Sequence, residues 1–324
     1  MAADYNTFAA NVSGNCINNV WGTGTTSDLG WGQSNIANVA AAGTVTATQW
    51  ASIVNTLTTM GNQANVTITS RTAPVAGNTI NILANVATDI NTITASRGNA
   101  QLSGTEYGVF SGTTSKTTAT GSGTTPWTIT FTHTVTFASA AALRYFFNAG
   151  GIVRLKYGKS STGTDHDADW NLLAGWPGTI SLTGRVNSAA QTIAGQAYTG
   201  TTRLSGSGGT QTTLATTTGW YQLTGSPTTI FQLNNTSAPY QPEYIRTTAT
   251  QTSSTVLTLV TTWVDDGTAG AGVSSNISGG TGVSSPATAI GAATAPTTLV
   301  TYIPPSTTYL TNSWGTPTIA ASVA

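Results

Sequence analysis

Five consecutive residues, Asp165-His166-Asp167-Ala168-Asp169, hold three of the chain's ten acidic side chains and one of its two histidines. Carboxylates alternating in this way open a calcium loop, where they supply oxygen ligands from one rim of a turn. Such a loop also needs a glycine at its sixth position and a bidentate glutamate at its twelfth. Trp170 and Trp176 stand there instead. The stretch is expected to form a hydrated acidic loop tip, with a weak divalent-ion site on Asp165, Asp167 and Asp169 as the alternative. Gly158-Lys159-Ser160 has the closing residues of a phosphate-binding loop. That loop needs a glycine five residues earlier, where Val153 stands, and a helix behind it that the pattern does not show. His133 falls on the apolar side of an alternating stretch. No motif sets a serine, cysteine or carboxylate beside it, so it is expected to be a core or interface histidine rather than a general base.

Cys16 is the only cysteine, which excludes an internal disulfide, and its place on an apolar helical stripe predicts a buried thiol. With His133 and His166 it makes no convincing metal set. The other carboxylates are scattered. Asp4, Asp28 and Asp89 lie in or beside the helical segment, Glu106 and Glu243 stand alone, and Asp265-Asp266 end a strand. No acid–base pair has motif spacing, so no catalytic residue, cofactor or metal ligand is assigned, and the chain is expected not to be an enzyme. The tryptophans and tyrosines could stack on sugar rings or pack a core, and the pattern does not separate the two.

The elements that would position these residues change character near residue 100. Before it, Tyr5, Phe8, Ala9, Val12, Cys16, Ile17 and Val20 have helical spacing. A Gly-rich connector follows, ending in Gly30-Trp31-Gly32-Gln33. Thr46 and Gln49 form a capping box ahead of the stripe Trp50, Ile53, Val54, Leu57 and Met60, which is expected to end at Gly61. A third helix is expected from Asn78, through Ile80, Leu83, Ala84, Ala87 and Ile90, to Gly98. After residue 100 the period becomes two. Trp127, Ile129, Phe131, His133, Val135 and Phe137 alternate with threonine, which predicts a half-buried strand.

Next comes the chain's most distinctive stretch. Ser139 is a good N-cap, the alanines that follow favour helix, and Arg144-Tyr145-Phe146-Phe147 runs into Asn148-Ala149-Gly150-Gly151. The spacing predicts a strand–helix–strand corner closed by a left-handed cap. Phe146 or Phe147 should be buried and Gly150 or Gly151 should have positive φ. Strands are further expected at 152–157, 178–182, 219–223, 229–233, 244–250, 256–264 and 298–303, with a short helix at 170–173. A Gly/Ser-rich turn is expected at 199–209 and a long Gly/Ser/Ala-rich loop or arm at 267–297. The fold class expected is α+β: a helical N-terminal segment, 1–100, for assembly or docking, and a mainly antiparallel β-sandwich domain, 101–324.

Only 6% of the residues are charged, ten basic against ten acidic, where an ordinary soluble protein has roughly 25%. Phosphate binding needs a basic stripe, and Arg154, Lys156 and Lys159 are the densest cationic group, so no nucleic acid partner is expected. No apolar run is long enough to cross a membrane. The first twelve residues lack a basic region followed by an apolar core, so no secretory signal is expected and synthesis in a cytoplasm is. A surface rich in hydroxyls and amides suits burial against identical neighbours, because charge at an interface is costly unless paired.

Several of these stretches carry a resemblance. Tyr5 to Val20 with the Gly-rich connector and Gly30-Trp31-Gly32-Gln33, then Thr46 to Trp50, resemble the N-terminal region of a family of virion structural proteins of tailed phages, notably cyanophages. The block Arg144, Tyr145, Phe146, Phe147, Asn148, Ala149, Gly150, Gly151 resembles that family's Arg-Tyr-Phe-Phe-Asn-x-Gly-Gly signature. Trp170 to Leu173 and Trp263 to Asp266 are also similar, so the likeness covers about 4–266 in patches. The chain departs from the family at Thr58 to Gln63, where relatives often carry a basic run. The resemblance implies a non-enzymatic component of the tail, neck, collar or a fibre-like appendage, assembled in the host cytoplasm and located in the virion. Its implied partners are other copies of itself, with a trimer expected for a fibre-like form, and other virion proteins. The alternative is a tail protein that binds host-surface carbohydrate.

Overall fold

The computed structural model describes residues 2–10, 16–24, 29–77, 79, 84–97, 114–115, 127–159, 165–175, 177–184, 191–193, 196–198, 201–204, 210–214, 225–235, 243–265 and 296–324. Helices α1 (Ala2–Ala10), α2 (Ile17–Val20), α3 (Ala47–Gln63) and α4 (Val86–Ser96) come first. Of the first apolar stripe, Tyr5, Ala9, Cys16, Ile17 and Val20 are buried and Phe8 is half-buried, Cys16 is extended backbone just ahead of α2 rather than helical, and Val12 lies outside the described residues; in α3, Trp50, Ile53, Val54, Leu57 and Met60 are buried.

The capping box forms at the head of α3, where Thr46 Oγ1 accepts from the Gln49 N–H and the Gln49 side chain accepts from the Thr46 N–H. This helix does not stop at Gly61 as expected. It runs to Gln63 and closes with Asn65 at φ 52°, Asn65 N–H donating to Asn62 O and Val66 N–H to Gly61 O. Asparagine tolerates the left-handed region nearly as well as glycine does, so the terminating residue is Asn65. The third helix, expected to start after Asn78 with Ile80, begins at Val86, after Asn85 at φ 61°. Of the earlier stretch, residues 78 and 80–83 lie outside the described residues.

The strands are β1 (Thr114–Ser115), β2 (Trp127–Thr136), β3 (Ile152–Gly158), β4 (Thr179–Leu182), β5 (Gln191–Ile193), β6 (Gln196–Tyr198), β7 (Thr201–Leu204), β8 (Thr210–Leu214), β9 (Thr228–Asn234), β10 (Tyr244–Ser253), β11 (Val256–Asp265), β12 (Thr297–Ile303) and β13 (Thr318–Val323). Two further helices are α5 (Ala140–Asn148) and α6 (Asp165–Gly175). The class is α+β, a small helical N-terminal part with antiparallel sheets. One sheet has the order β1-β12-β3-β4-β7 and the other β13-β2-β11-β10-β9-β8, while β5 and β6 form a separate pair. Every recorded pairing is antiparallel. The expected hairpin is the β10–β11 pair, which runs from Tyr244 opposite Val264 to Ser253 opposite Val256.

Further expectations change. The acidic stretch at 165–169 is the first part of α6 rather than a loop tip. A calcium loop turns sharply around its ion, and helical backbone at 165–169 does not. Part of the expected turn at 199–209 is β7, which pairs Thr201 to Leu204 with β4, and the rest of that stretch lies outside the described residues. No strand is expected from the sequence pattern at β1, β5, β6, β8 or β13. The expected strand at 219–223 and most of the expected loop or arm, residues 267–295, lie outside the described residues.

The two larger sheets meet through side chains. The ring of Tyr157 on β3 lies 6.0 Å from Phe231 of β9 and 6.4 Å from Trp263 of β11. Its hydroxyl makes a 2.6 Å bond with Thr247 of β10, which bonds in turn to Thr261 of β11 at 2.8 Å. This buried chain of hydroxyls satisfies three polar groups that would otherwise cost free energy in the interior. Buried residues of the helices and the sheets form one continuous core.

Candidate functional site

The signature block folds into a joint. Ser139 caps α5, its Oγ accepting from the Ala142 N–H at 3.0 Å. At the other end Gly150 N–H donates to Phe147 O at 3.1 Å and Gly151 N–H to Phe146 O at 2.8 Å, with Gly150 at φ 98°. That bond pair and the left-handed residue are the glycine closure expected from Asn148-Ala149-Gly150-Gly151. The two glycines act differently. Gly150 supplies the conformation, whereas a Cβ on Gly151 would stand 2.6 Å from Cε1 of Phe146. Phe146 and Phe147 are both buried. Their ring centroids lie 5.1 Å apart, nearly perpendicular, and Phe146 also meets Phe137 at 5.3 Å and Tyr302 at 6.1 Å. These edge-to-face contacts suit the aromatic quadrupole.

The polar members of the block reach the connector more than a hundred residues away in sequence. Asn148 Nδ2 donates to Gly30 O at 3.1 Å, and the Asn148 carbonyl accepts from Trp31 Nε1 at 3.0 Å. Arg144 donates to Thr23 O at 3.4 Å, and its guanidinium lies 5.4 Å from the Tyr145 ring centroid. Gly32 has φ 73°, and a Cβ there would collide with the Tyr145 ring. A third segment locks the same place. Gln33 Nε2 donates to Thr311 O at 2.9 Å, Thr311 N–H donates back to Gln33 Oε1 at 2.8 Å, and Ser313 Oγ donates to Trp31 O at 2.7 Å. The connector also bonds back to the end of α2, Trp31 N–H to Val20 O at 2.7 Å. Gly30 to Gln33 is therefore strapped between α2, α5 and residues 311–313. These polar contacts are structural hydrogen bonds, and none of them pairs an acid with a base.

The remaining candidates are dispersed. His133 is buried on the inner face of β2. Burial pushes its imidazole down to about 4, against a smaller upward effect of the Thr298 backbone. The unfolded chain holds the ordinary value near 6.5, so the native state binds fewer protons between the two. The sign follows: this contribution to stability is complete above about pH 6.5 and is lost as pH falls toward about 4, by roughly 3 kcal/mol in all. Urea unfolding of the native chain should show this slope, and His133→Leu should flatten it relative to the parent.

Burial pushes the Cys16 thiol up, with weaker opposing bonds from the Asn19 and Asn18 backbones, as suits an inert core cysteine. Lys159, at the end of β3, is pushed down to about 8 by burial, and Ser160 beside it lies outside the described residues. His166, Asp165, Asp167 and Asp169 lie on the first turns of α6. Among the described residues no group of three His, Cys, Asp or Glu is placed to hold a metal ion, and no helix is long and apolar enough to cross a membrane. Trp31, Trp50, Trp170, Trp263 and Trp314 are buried, and Trp170 stacks on Trp263 at 5.6 Å, so these rings pack the core rather than a sugar.

Two features escaped the sequence reading. Arg71 and Asp89 form an ion pair at 2.6 Å with side chains 6% and 7% exposed. Asp89 Oδ1 also accepts from the Thr69 N–H and hydroxyl, and Arg71 donates to Ala84 O at 2.7 Å. In addition, Asn6 and Asn18 each clamp the segment that follows the connector by two 2.8 Å bonds, to the backbones of Val39 and Ile36 respectively. Lone polar residues in an Asn- and Thr-rich chain carry no pattern that would have marked them. No protein-family model, curated protein or solved structure matches the chain.

Proposed function

We propose that the chain is a non-enzymatic structural component of a tailed-phage virion, part of a tail, neck, collar or fibre-like appendage, that assembles through interfaces with its own copies and with other virion proteins. The observation that carries the reading is an exterior of hydroxyls in a chain only 6% charged. The outward row of β2 is Thr128, Thr130, Thr132, Thr134 and Thr136, and Thr258 and Thr262 continue it on β11. This row loses little when water is removed, because it carries no charge itself, Arg246 of β10 standing opposite Thr262 at its border, and each hydroxyl can find a partner. In this proposal the two large sheets, joined through Tyr157, form a β-sandwich that carries this face. The joint around Gly30 to Gln33 and Arg144 to Gly151 supports the same reading, since its polar groups serve architecture.

The test is a mass measurement by light scattering on purified protein, together with a density map of the intact particle. The expected outcome is an oligomer in solution, a trimer if the appendage is fibre-like, and symmetric copies in the particle. Isolated monomers in both would overturn the reading. Release of reducing sugar from host envelopes, abolished by one carboxylate substitution, would replace it with an enzyme. Saturable binding on a glycan array would move it to host attachment.

A further inference from the structure

Strand β13 ends the six-stranded sheet, and among the described residues no strand pairs with its outer side. Its ladder to β2 runs from Thr318 opposite Thr136 to Val323 opposite Phe131 without a shift. Just beyond it, Ala324 and Thr130 exchange both of their main-chain bonds at 2.9 Å. Bonded and non-bonded pairs alternate along an antiparallel ladder. Ser322, Ala320 and Thr318 are therefore the residues that bond to β2. The N–H and C=O groups of Ile319, Ala321 and Val323 point the other way, out of the edge.

Proteins normally blunt such an edge with charge, proline or a bulge. Thr318-Ile319-Ala320-Ala321-Ser322-Val323 has no charge and no proline, and its register has no bulge. Thr318, Ala320, Ala321 and Ser322 are exposed, whereas Ile319 and Val323 are half-buried against the core, and the outer edge meets no paired strand among the described residues. Strand β1 of the facing sheet comes near it but is paired with β12.

We propose that β13 is a self-recognition edge, pairing antiparallel with β13 of a second copy about a two-fold axis at Ala321. This rests on the reading of the chain as a self-assembling component and names the first of its interfaces. The strand is complementary to itself in that register. Ala321 faces Ala321, Ile319 faces Val323 of the second copy, and Ala320 faces Ser322. Three outward residues on each copy give about six main-chain hydrogen bonds. On the inner face the Ile319–Val323 pairs bring together β-branched side chains already packed against the core of each copy. No like charges meet across the axis, as they would on an edge protected against its own copy. A contact of this kind closes at two copies, and any three-fold contact uses another face.

Two substitutions in the full chain test it. Ala321→Pro removes an N–H that points outward and leaves the bonds to β2 in place. It is expected to lower the solution mass to about half by breaking the two-fold contact. Ala321→Cys adds the chain's only exposed thiol, since Cys16 is buried. Directly opposed residues of a bonded pair have Cα atoms about 5.5 Å apart, within disulfide reach. Mild oxidation should give a covalent dimer, and Ala320→Cys, offset from its own copy across the axis, should not. Unchanged mass with proline and no dimer from Ala321→Cys overturns the edge pairing while leaving assembly by another face standing. A parent chain that is monomeric throughout overturns both.

Discussion

Phe147→Ala should lower the unfolding free energy by about 3–5 kcal/mol. The ring is 2% exposed, meets Phe146 nearly at right angles, and lies 6.2 Å from Phe137. Its backbone is equally hemmed in, because a Cβ on Gly184 would stand 2.6 Å from the Phe147 carbonyl oxygen. The surroundings therefore have little freedom to collapse into the space left behind, and a cavity costs more where its walls stay put. Denaturant titration should show the midpoint falling with an unchanged slope, as for a pure loss of stability. Phe147→Leu, which keeps most of the volume, should lose much less. Equal stability of the parent and Phe147→Ala would refute the packing role given to this ring.

Asp89→Ala should be of similar size, about 3–5 kcal/mol, for an electrostatic reason. It would leave the Arg71 guanidinium, 6% exposed, without the carboxylate it meets at 2.6 Å. It would also strip the acceptor from the Thr69 N–H and hydroxyl. Taking both ions away is a different matter, since a buried pair returns little net stability over apolar groups of similar volume. Arg71→Met combined with Asp89→Leu should therefore unfold at higher denaturant than Asp89→Ala alone. A double-mutant cycle on the same pair would give the coupling directly, and additive losses would show that the pair does not act as a unit.

How far each of these was legible depends on the range of the forces involved. The corner could be read because its signals are local. Ser139, the alanines, the double glycine and the paired phenylalanines all act within one helix and its cap, so their spacing states the geometry. The capping box at Thr46 and Gln49 and the long alternation of β2 were legible for the same reason. Where two local rules competed, the reading slipped. Gly61 looked like a terminator, yet α3 continues through it, and the chain turns back at Asn65, which can also adopt the left-handed region. The alternating aspartates at 165–169 suggested a loop, but the helix that carries Trp170, Leu173 and Ala174 into the core extends back through them.

By itself the sequence determined the α+β class, the half-buried character of β2, the glycine closure of the corner and the scarcity of charge. Each follows from periodicity, backbone stereochemistry or composition, which need no knowledge of what lies opposite. The tertiary structure alone decided the partners. It brought Trp31 to Asn148, Gln33 to Thr311, Arg71 to Asp89 and Tyr157 to Thr247. It also made β13 a strand, with no strand paired to its outer side among the described residues. Those outcomes depend on which surfaces the folded chain places in contact, and a polar side chain looks the same in sequence whether it meets water or a buried partner.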